Sequence, residues 1–415
     1  MPAPSAPRIK ALHLAYTLPL PPRSGYDLRV WHLCKNLARH MDITLLTRGM
    51  GDEADRSWSE GGVEIQVLRL PRPGPSLKAL KGLRFLFSSW PVMSGGWHFQ
   101  RMASRLKRLL AENRYDLIVL EGVWLSVYWP LIRKAQGLKV LNHYDLESES
   151  LGRQAEVLSG GFKKWMYRNA VRRMGRIEER MFREADLTWV TSEREQEVLR
   201  RRNAAWNIQV APNGVDTGAI QAFPECTGRE LLFVGSMNYF PNKDGVLYFV
   251  EEVLPLIRAC HPEIVFRVVG RHPGPEIRAL HQPGKVEITG EVESLTPYYQ
   301  NAAVCVVPLR AGGGTRLKIL EAMAYGRPVV STTLGAEGLD IEPGRDYLLA
   351  DDPVAFTKAV NAILGDASIA AGLAREARRL VEEKYAWSSI AGKMWETYKF
   401  QVSSFRFQVG GGVFQ

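Results

Sequence analysis

Behind a run of glycines, two cations and a carboxylate fall close together: Gly312, Gly313, Gly314, Thr315, Arg316, Lys318 and Glu321. An anion suits this grouping. Free backbone N–H groups and the positive end of a helix dipole both point at a ligand placed where a glycine loop opens a helix. Positive charge in a helix's first turn opposes that dipole, so Arg316 and Lys318 make sense there if they face an anion. Glu321 lies further along, where a carboxylate accepts hydrogen bonds from a ribose. The elements that position these groups read from the same block. The apolar run Ala303–Val307 predicts a buried strand, and Thr315 is placed to cap the following helix. Leu317, Leu320 and Ala324 give that helix an apolar side, Gly326 closes it, and Pro328 leads into a second strand. The plain alternative is a βαβ crossover with a flexible loop and surface charges.

At 415 residues the chain exceeds a typical single core, and two domains are expected. A hydrophobic content of 46% fits a globular protein, and no apolar run is long enough to span a bilayer. Met1 to Lys10 lacks the apolar centre of a signal peptide. Cys34, Cys226, Cys260 and Cys305 have no metal-ligand spacing and read as thiols of a reducing compartment. A cytoplasmic protein is expected.

The net charge of +10 is unevenly spread. Ile65 to Ala111 contains no Asp or Glu but holds Arg69, Arg72, Lys78, Lys81, Arg84, Arg101, Arg105, Lys107 and Arg108. Phe85, Phe87, Trp90, Trp97 and Phe99 are interleaved with them. In a second basic block, from Lys163 to Arg176, Lys164, Arg168, Arg172 and Arg176 recur every four residues, which is one ladder on a helix face. Both stretches, 65–111 and 163–176, suit an anionic membrane surface or a polyanion. A solvated helix face is the plain reading.

Apolar runs alternate with helical patterns along the chain, which predicts α/β architecture with parallel sheets. Candidate strands are Ile9–Leu14, Ile43–Thr47, Val63–Leu68, Leu117–Leu120, Val140–Asn142 and Leu187–Thr191, then Leu231–Val234, Val265–Val269, Val286–Ile288, Ala303–Val307, Val329–Ser331 and Tyr347–Leu349. These are two successive Rossmann-like halves facing a cleft: an N-terminal domain at 1–211 and a C-terminal domain at 212–386. The segment 387–400 is expected to be a helix returning to the first domain, and 401–415 a flexible tail. Ligands bind beyond the carboxyl ends of such strands. The loops expected at the site are therefore Tyr16–Gly25, Glu121–Trp124, His143–Ser148, Gly235–Asp244 and Pro308–Thr315, among others.

Four segments in order carry a resemblance: Ser24-Gly25, Pro212-Asn-Gly-Val-Asp216, Phe233-Val-Gly-Ser236, and the block from Pro308 to Val330. The chain resembles the retaining glycosyltransferases of sequence family 4, which have the GT-B fold. The resemblance implies that Ser24 and Gly25 approach the donor phosphates. It likewise places Gly235, Ser236, Gly312, Gly313, Gly314, Thr315 and Glu321 at a nucleotide sugar. His143 in Asn142-His-Tyr-Asp145 is similar to the family's histidine near the reacting sugar, and Asp145 is a candidate sugar or acceptor contact. Three departures stand out. The family often has two glutamates seven residues apart; Glu321 matches the second, but the first position is Gly313. Ser236 stands where many members have Arg, with Lys243 in place of a nearby lysine at an open register. The histidine motif is short.

The implied reaction is transfer of a sugar from a nucleotide diphosphate sugar to a hydroxyl of a glycan or lipid-linked acceptor, as in cell-surface polysaccharide or glycolipid synthesis. The leaving diphosphate gains charge, so fixed donors and cations aimed at it lower the barrier. Arg316 and Lys318 take that role, and His143 would position or polarise the sugar. Retention lets the departing phosphate oxygen accept the acceptor's proton. No Asp-x-Asp motif is present, no metal is expected, and the nucleotide sugar is a substrate rather than a cofactor. The expected partners are that donor, the acceptor and an anionic membrane surface, with no nucleic acid. Alternatives are an epimerase or phosphorylase on the same fold, and a non-catalytic nucleotide-sugar binder.

Overall fold

The computed structural model describes residues 8–22, 24–50, 55–70, 96–157, 161–223, 228–312 and 316–410. The chain divides into two compact units, 1–212 with 390–415, and 213–389.

The first unit is built on an eight-stranded sheet. Its strands are β1 Lys10–Leu14, β2 Asp42–Met50, β3 Arg56–Glu60, β4 Val63–Leu70, β5 Leu117–Glu121, β6 Leu138–Asn142, β7 Leu187–Val190 and β8 Ile208–Val210, in the order β3-β4-β2-β1-β5-β6-β7-β8. All pairings are parallel except β3 with β4. Strands covered on both faces read as continuous apolar runs, and β5 is buried at all five positions. The exception is β3, an edge strand with Arg56, Ser57, Ser59 and Glu60 exposed. It is held by a two-residue hairpin turn, Gly61-Gly62, with φ of +56° and +79°. Both central residues of that turn type need positive φ, which glycine adopts without penalty. The helices used below are α1 Gly25–Leu37, α2 Gly96–Glu112, α3 Glu147–Val157 and α4 Gly161–Glu184.

The second unit holds a six-stranded parallel sheet: β9 Glu230–Val234, β10 Val265–Val269, β11 Val286–Gly290, β12 Ala302–Val307, β13 Val329–Ser331 and β14 Leu348–Leu349, in the order β11-β10-β9-β12-β13-β14. Its core runs through Phe233, Phe249, Phe266, Val304, Val306 and Leu320, all buried. Two helices carry site residues, α5 Phe240–Tyr248 and α6 Leu317–Ala324. Gly326 ends α6 at φ +69°, and the Arg327 N–H returns to the Ala322 carbonyl at 2.9 Å, a Schellman closure.

The last helix, α7 Trp387–Gly410, belongs to the first unit from Ile390 onward. It corrects the expectation of a flexible tail from 401. Val402 is buried, and the Arg406 guanidinium bonds Asp116 at 2.7 Å, so the helix continues past 400 and is anchored as far as Arg406. Among the described residues, no single helix is long and apolar enough to cross a membrane.

Candidate active site

In the second unit, four segments meet at the carboxyl end of β9. The strand delivers its backbone to Gly235, whose N–H bonds the Val269 carbonyl at 2.9 Å. Asn242, buried in the first turn of α5, donates from Nδ2 to the Ser236 carbonyl at 2.9 Å. Its Oδ1 accepts a 2.7 Å hydrogen bond from Lys318 Nζ, which reaches across from α6. A Cβ at position 235 would lie 2.7 Å from Asn242 Nδ2 and 2.9 Å from Lys318 Nζ, so a glycine is required for the three groups to close together. Gly312 has φ +107°, and a Cβ there would meet Arg316 Nη2 at 3.0 Å and Pro241 Cγ at 2.9 Å.

The electrostatics of this corner are unusual for an α-helix start. Lys318 Nζ sits 3.9 Å from the Phe233 ring centroid. Burial, and then the neighbouring Arg316, hold its pKa well below the ordinary lysine value. Glu321 accepts a hydrogen bond from Tyr299 Oη at 3.3 Å. Burial pushes its carboxyl up to about 7, against the opposing pull of Tyr299 and Lys318. Tyr299 in turn stacks on Tyr325 at 4.4 Å. The arrangement offers two adjacent cations, a helix N-terminus and a carboxylate one turn on. An incoming diphosphate would offset the cation pair, and a vicinal diol would satisfy the carboxylate.

Two sequence expectations change here. The N-cap of α6 is Arg316, without a side-chain capping bond, where Thr315 was expected. Gly313, Gly314 and Thr315 themselves lie outside the described residues. Lys243 pairs with Glu276 at 2.9 Å. The cation beside the first strand's glycine is Lys318. Ser236 Oγ donates to Asn238 Oδ1 at 2.7 Å within its own loop.

In the first unit, Ser24 caps α1. Its Oγ accepts from the Asp27 N–H at 3.2 Å and donates to Asp27 Oδ2 at 2.8 Å, while Thr17 holds the other carboxylate oxygen at 2.9 Å. Gly25 is the first residue of the helix. This is a capped helix N-terminus, with the Asp27 N–H satisfied by the Ser24 side chain.

His143 continues the line of β6, with its N–H bonded to the Trp189 carbonyl at 2.7 Å. Its ring is 1% exposed, packs edge-on against Phe182 at 5.0 Å and has Nε2 3.6 Å from Glu178 Oε1. Burial, with Arg202 adding to it, pushes its pKa down to about 3, so the ring is neutral. This placement does not support the expected role at a sugar, because neither ring nitrogen reaches solvent. Asp145 is half-buried, and so is Glu147, which accepts from Trp124 Nε1 at 2.8 Å.

The sequence reading missed a buried polar hub between these loops. Glu121 Oε1 bonds His13 Nδ1 at 2.6 Å, and its Oε2 accepts from Asn142 at 2.9 Å and from Tyr144 Oη. Tyr26 Oη donates to the Glu121 carbonyl at 3.0 Å. Burial alone would favour the neutral imidazole, but Cys34 and Glu121 outweigh it and raise His13 to about 10. Burial likewise disfavours the Glu121 carboxylate, yet His13, Tyr144 and Asn142 leave its pKa below the usual value. Arg29, also buried, stacks over Tyr144 at 5.4 Å and donates to the Ala211 and Pro212 carbonyls at 2.7 Å each. A histidine and a glutamate at strand positions in apolar runs were the available signal. Among the described residues, His13, Cys34 and Glu121 form the one cluster with metal-ligand types. The 2.6 Å His13–Glu121 contact makes it a hydrogen-bonded ion pair.

Comparison with known proteins agrees with this architecture. Residues 24–214 match the glycosyl transferase 4-like domain, and residues 228–366 match the glycosyl transferases group 1 family. The two matches between them take in most of the chain. The chain is similar to a phosphatidyl-myo-inositol mannosyltransferase of Mycobacterium leprae, at 26% identity over 46% of this chain and 54% of the relative. The chain matches 35%, 54% and 50% of the length of three curated relatives, a protein of a Klebsiella pneumoniae cps region and two phosphatidyl-myo-inositol mannosyltransferases. Among solved structures, a sucrose-phosphate synthase from Thermosynechococcus elongatus superposes with a TM-score of 0.70 at 22% identity, over 96% of this chain and 100% of that one. Anabaena Alr3699/HepE, solved in complex with UDP and glucose, gives a TM-score of 0.64 at 15% identity, over 94% and 99%. The fold is GT-B. The chain belongs to the group 1 glycosyltransferases, of the family 4 type.

Proposed function

We propose that this protein transfers a sugar from a nucleoside diphosphate sugar to a hydroxyl of a glycan or lipid-linked acceptor, with retention at the anomeric carbon and without a bound metal. The observation that carries the reading is the convergence of Lys318, Asn242 and Gly235, with Arg316 and Glu321 on the same helix start. Lys318 and Arg316 bind the diphosphate and stabilise the charge it gains as the glycosidic bond breaks. Glu321 accepts from the ribose hydroxyls. The C1–O bond to phosphate breaks as the C1–O bond to the acceptor forms on the same face, and the acceptor's proton passes to the departing phosphate oxygen. Asp145, near the end of β6, positions the sugar or acceptor. The Anabaena neighbour's UDP and glucose are in keeping with a nucleotide-sugar donor.

We place the enzyme on the cytoplasmic side, docked at the membrane's inner face, in polysaccharide or glycolipid synthesis. On α4, Arg168, Arg172 and Arg176 lie exposed on one face beside Trp165, itself 53% exposed. This supports attraction to anionic lipid. Lys78, Lys81 and Arg84 of the acid-free stretch lie outside the described residues.

The test is release of free nucleotide from a panel of nucleoside diphosphate sugars, with and without acceptor extract, followed by the anomeric configuration of the product by NMR. Acceptor-dependent release with retention supports the reading. Nucleotide release with an altered free sugar, or binding with no release, would replace it with an epimerase or a non-catalytic binder.

A further inference from the structure

Three loops of the first unit follow the carboxyl ends of β1, β5 and β6, and one buried residue ties them together. Glu121 is the last residue of β5. Its Oε1 meets His13 of β1 at 2.6 Å. Its Oε2 accepts from Asn142, at the end of β6, at 2.9 Å and from Tyr144 in the loop beyond. Its carbonyl accepts from Tyr26 Oη, in the first turn of α1, at 3.0 Å. The same Oη accepts from the Tyr16 N–H at 2.8 Å, which fixes the start of the loop after β1. Tyr144 also lies close over the β5 loop, because a Cβ at Gly122 would be 3.6 Å from its Cδ2. Trp124 and Glu147, the first residue of α3, make one further link between the β5 and β6 loops.

We propose that Glu121 is a positioning residue for the transfer: it sets the loops after β1, β5 and β6 in one arrangement and so presents Asp145 to the acceptor. The proposal rests on the reading of this protein as a transferase whose acceptor lies at these loops. Ligands of open α/β sheets sit beyond the carboxyl ends of the strands, so loop geometry bears on the chemistry at this edge. Stability alone does not account for the hub, because apolar side chains of similar volume commonly stabilise a fold at least as well as a buried ion pair. A fully satisfied buried network instead specifies one conformation. Asp145 follows Tyr144 directly, so the bond from Tyr144 Oη to Glu121 restricts where that carboxylate points. A displacement of about 1 Å can slow a reaction by roughly 100-fold. All of these contacts lie within the first unit, so nucleotide binding at the start of α6 should not depend on them.

The test compares Tyr144→Phe, Glu121→Gln and Glu121→Ala in the full chain. Phe keeps the ring beside Tyr26 and removes only the tether. Gln keeps an oxygen for Asn142 and Tyr144 and an amide N–H for His13, so it serves as the conservative rescue. Nucleotide release from a nucleoside diphosphate sugar is measured with acceptor extract, and nucleoside diphosphate affinity by calorimetry. Tyr144→Phe should lose about tenfold to 100-fold in kcat for acceptor-dependent release, the rate ratio of one hydrogen bond to a charged group. The Trp124–Glu147 link keeps the loss near the lower end. Glu121→Ala should lose more, and Glu121→Gln should stay closest to the wild type. Nucleoside diphosphate affinity and the donor's KM should be unchanged in all three. Hydrogen exchange should rise in 143–148 of Tyr144→Phe, and in 16–22, 121–124 and 143–148 together in Glu121→Ala, while β1, β5 and β6 stay protected. Wild-type kcat in Tyr144→Phe, or a parallel loss of nucleotide affinity, overturns the proposal and leaves the transferase reading standing. Equal damage by Glu121→Gln and Glu121→Ala also overturns it, because the charge rather than the loop-holding bonds would then matter. A wild type that binds no nucleoside diphosphate fails the transferase reading, and the proposal falls with it.

Discussion

Replacing Lys318 with Met separates the site's cost to the fold from its value to the reaction. The ammonium is held between Asn242 Oδ1 at 2.7 Å and the Phe233 ring at 3.9 Å, beside Arg316. Burial and that second cation disfavour its charge, so the free protein carries an unfavourable group that a diphosphate would relieve. Met keeps the packing against Phe233 and removes the charge. Asn242 remains held through Nδ2 to the Ser236 carbonyl. Lys318→Met should therefore leave the melting temperature of the free protein unchanged or raised. Its kcat/KM for nucleotide release should fall by about 10²- to 10³-fold, the scale of losing one preorganised charge-stabilising donor. Steady-state nucleotide release and calorimetric melting measure the two effects. A variant with kcat/KM close to wild type, or one that loses stability and activity together, would refute the assignment of Lys318 to the leaving group.

Glu321 has a folded pKa of about 7 against an ordinary 4.5, so its stability contribution is fully present below about pH 4.5 and is lost as pH rises through 7. Glu321→Gln should match wild-type melting at pH 5 and exceed it increasingly towards pH 8; a constant difference would contradict the buried neutral carboxyl. The same variant should weaken binding of a ribonucleoside diphosphate more than of its deoxy analogue, measured by calorimetric titration. Turnover should survive EDTA, whereas complete loss restored by magnesium or manganese would move the protein to another mechanism. Arg29→Met should lower the free energy of unfolding by about 3 kcal/mol or more in urea titrations, because it strips the donors from two carbonyls in a buried setting.

Most of the architecture was legible because buried parallel strands are apolar runs. Val265–Val269 and Val329–Ser331 match residue for residue, and the other strands read from the sequence differ only at their ends. The strand β3 was missed because an edge strand exposed on both faces has no apolar alternation. Its signal was the Gly61-Gly62 turn. The candidate donor corner was legible in its glycines and in Arg316, Lys318 and Glu321, which are close in sequence. Asn242 was not, because its role depends on a contact spanning 76 positions. Sequence spacing could not choose between Lys243 and Lys318 as the cation near Gly235, since the choice rests on the partner Glu276 far along the chain. His143 was legible as a strand-end histidine, but not its burial against Phe182 and Glu178, which α4 supplies. Helix α7 was read too short because Val402 and Arg406 show their anchoring role only once Asp116 is placed beside them.

The central claim, that the second unit binds a nucleoside diphosphate through the start of α6, is tested most directly by calorimetric titration in EDTA. Uridine, guanosine and adenosine diphosphates would each be titrated into the wild type, Lys318→Met and Glu321→Gln. At least one nucleotide should bind the wild type, more weakly by at least roughly tenfold in Lys318→Met, the scale of a charge-assisted contact. Absence of binding by all three, or equal affinity in all three proteins, would contradict it.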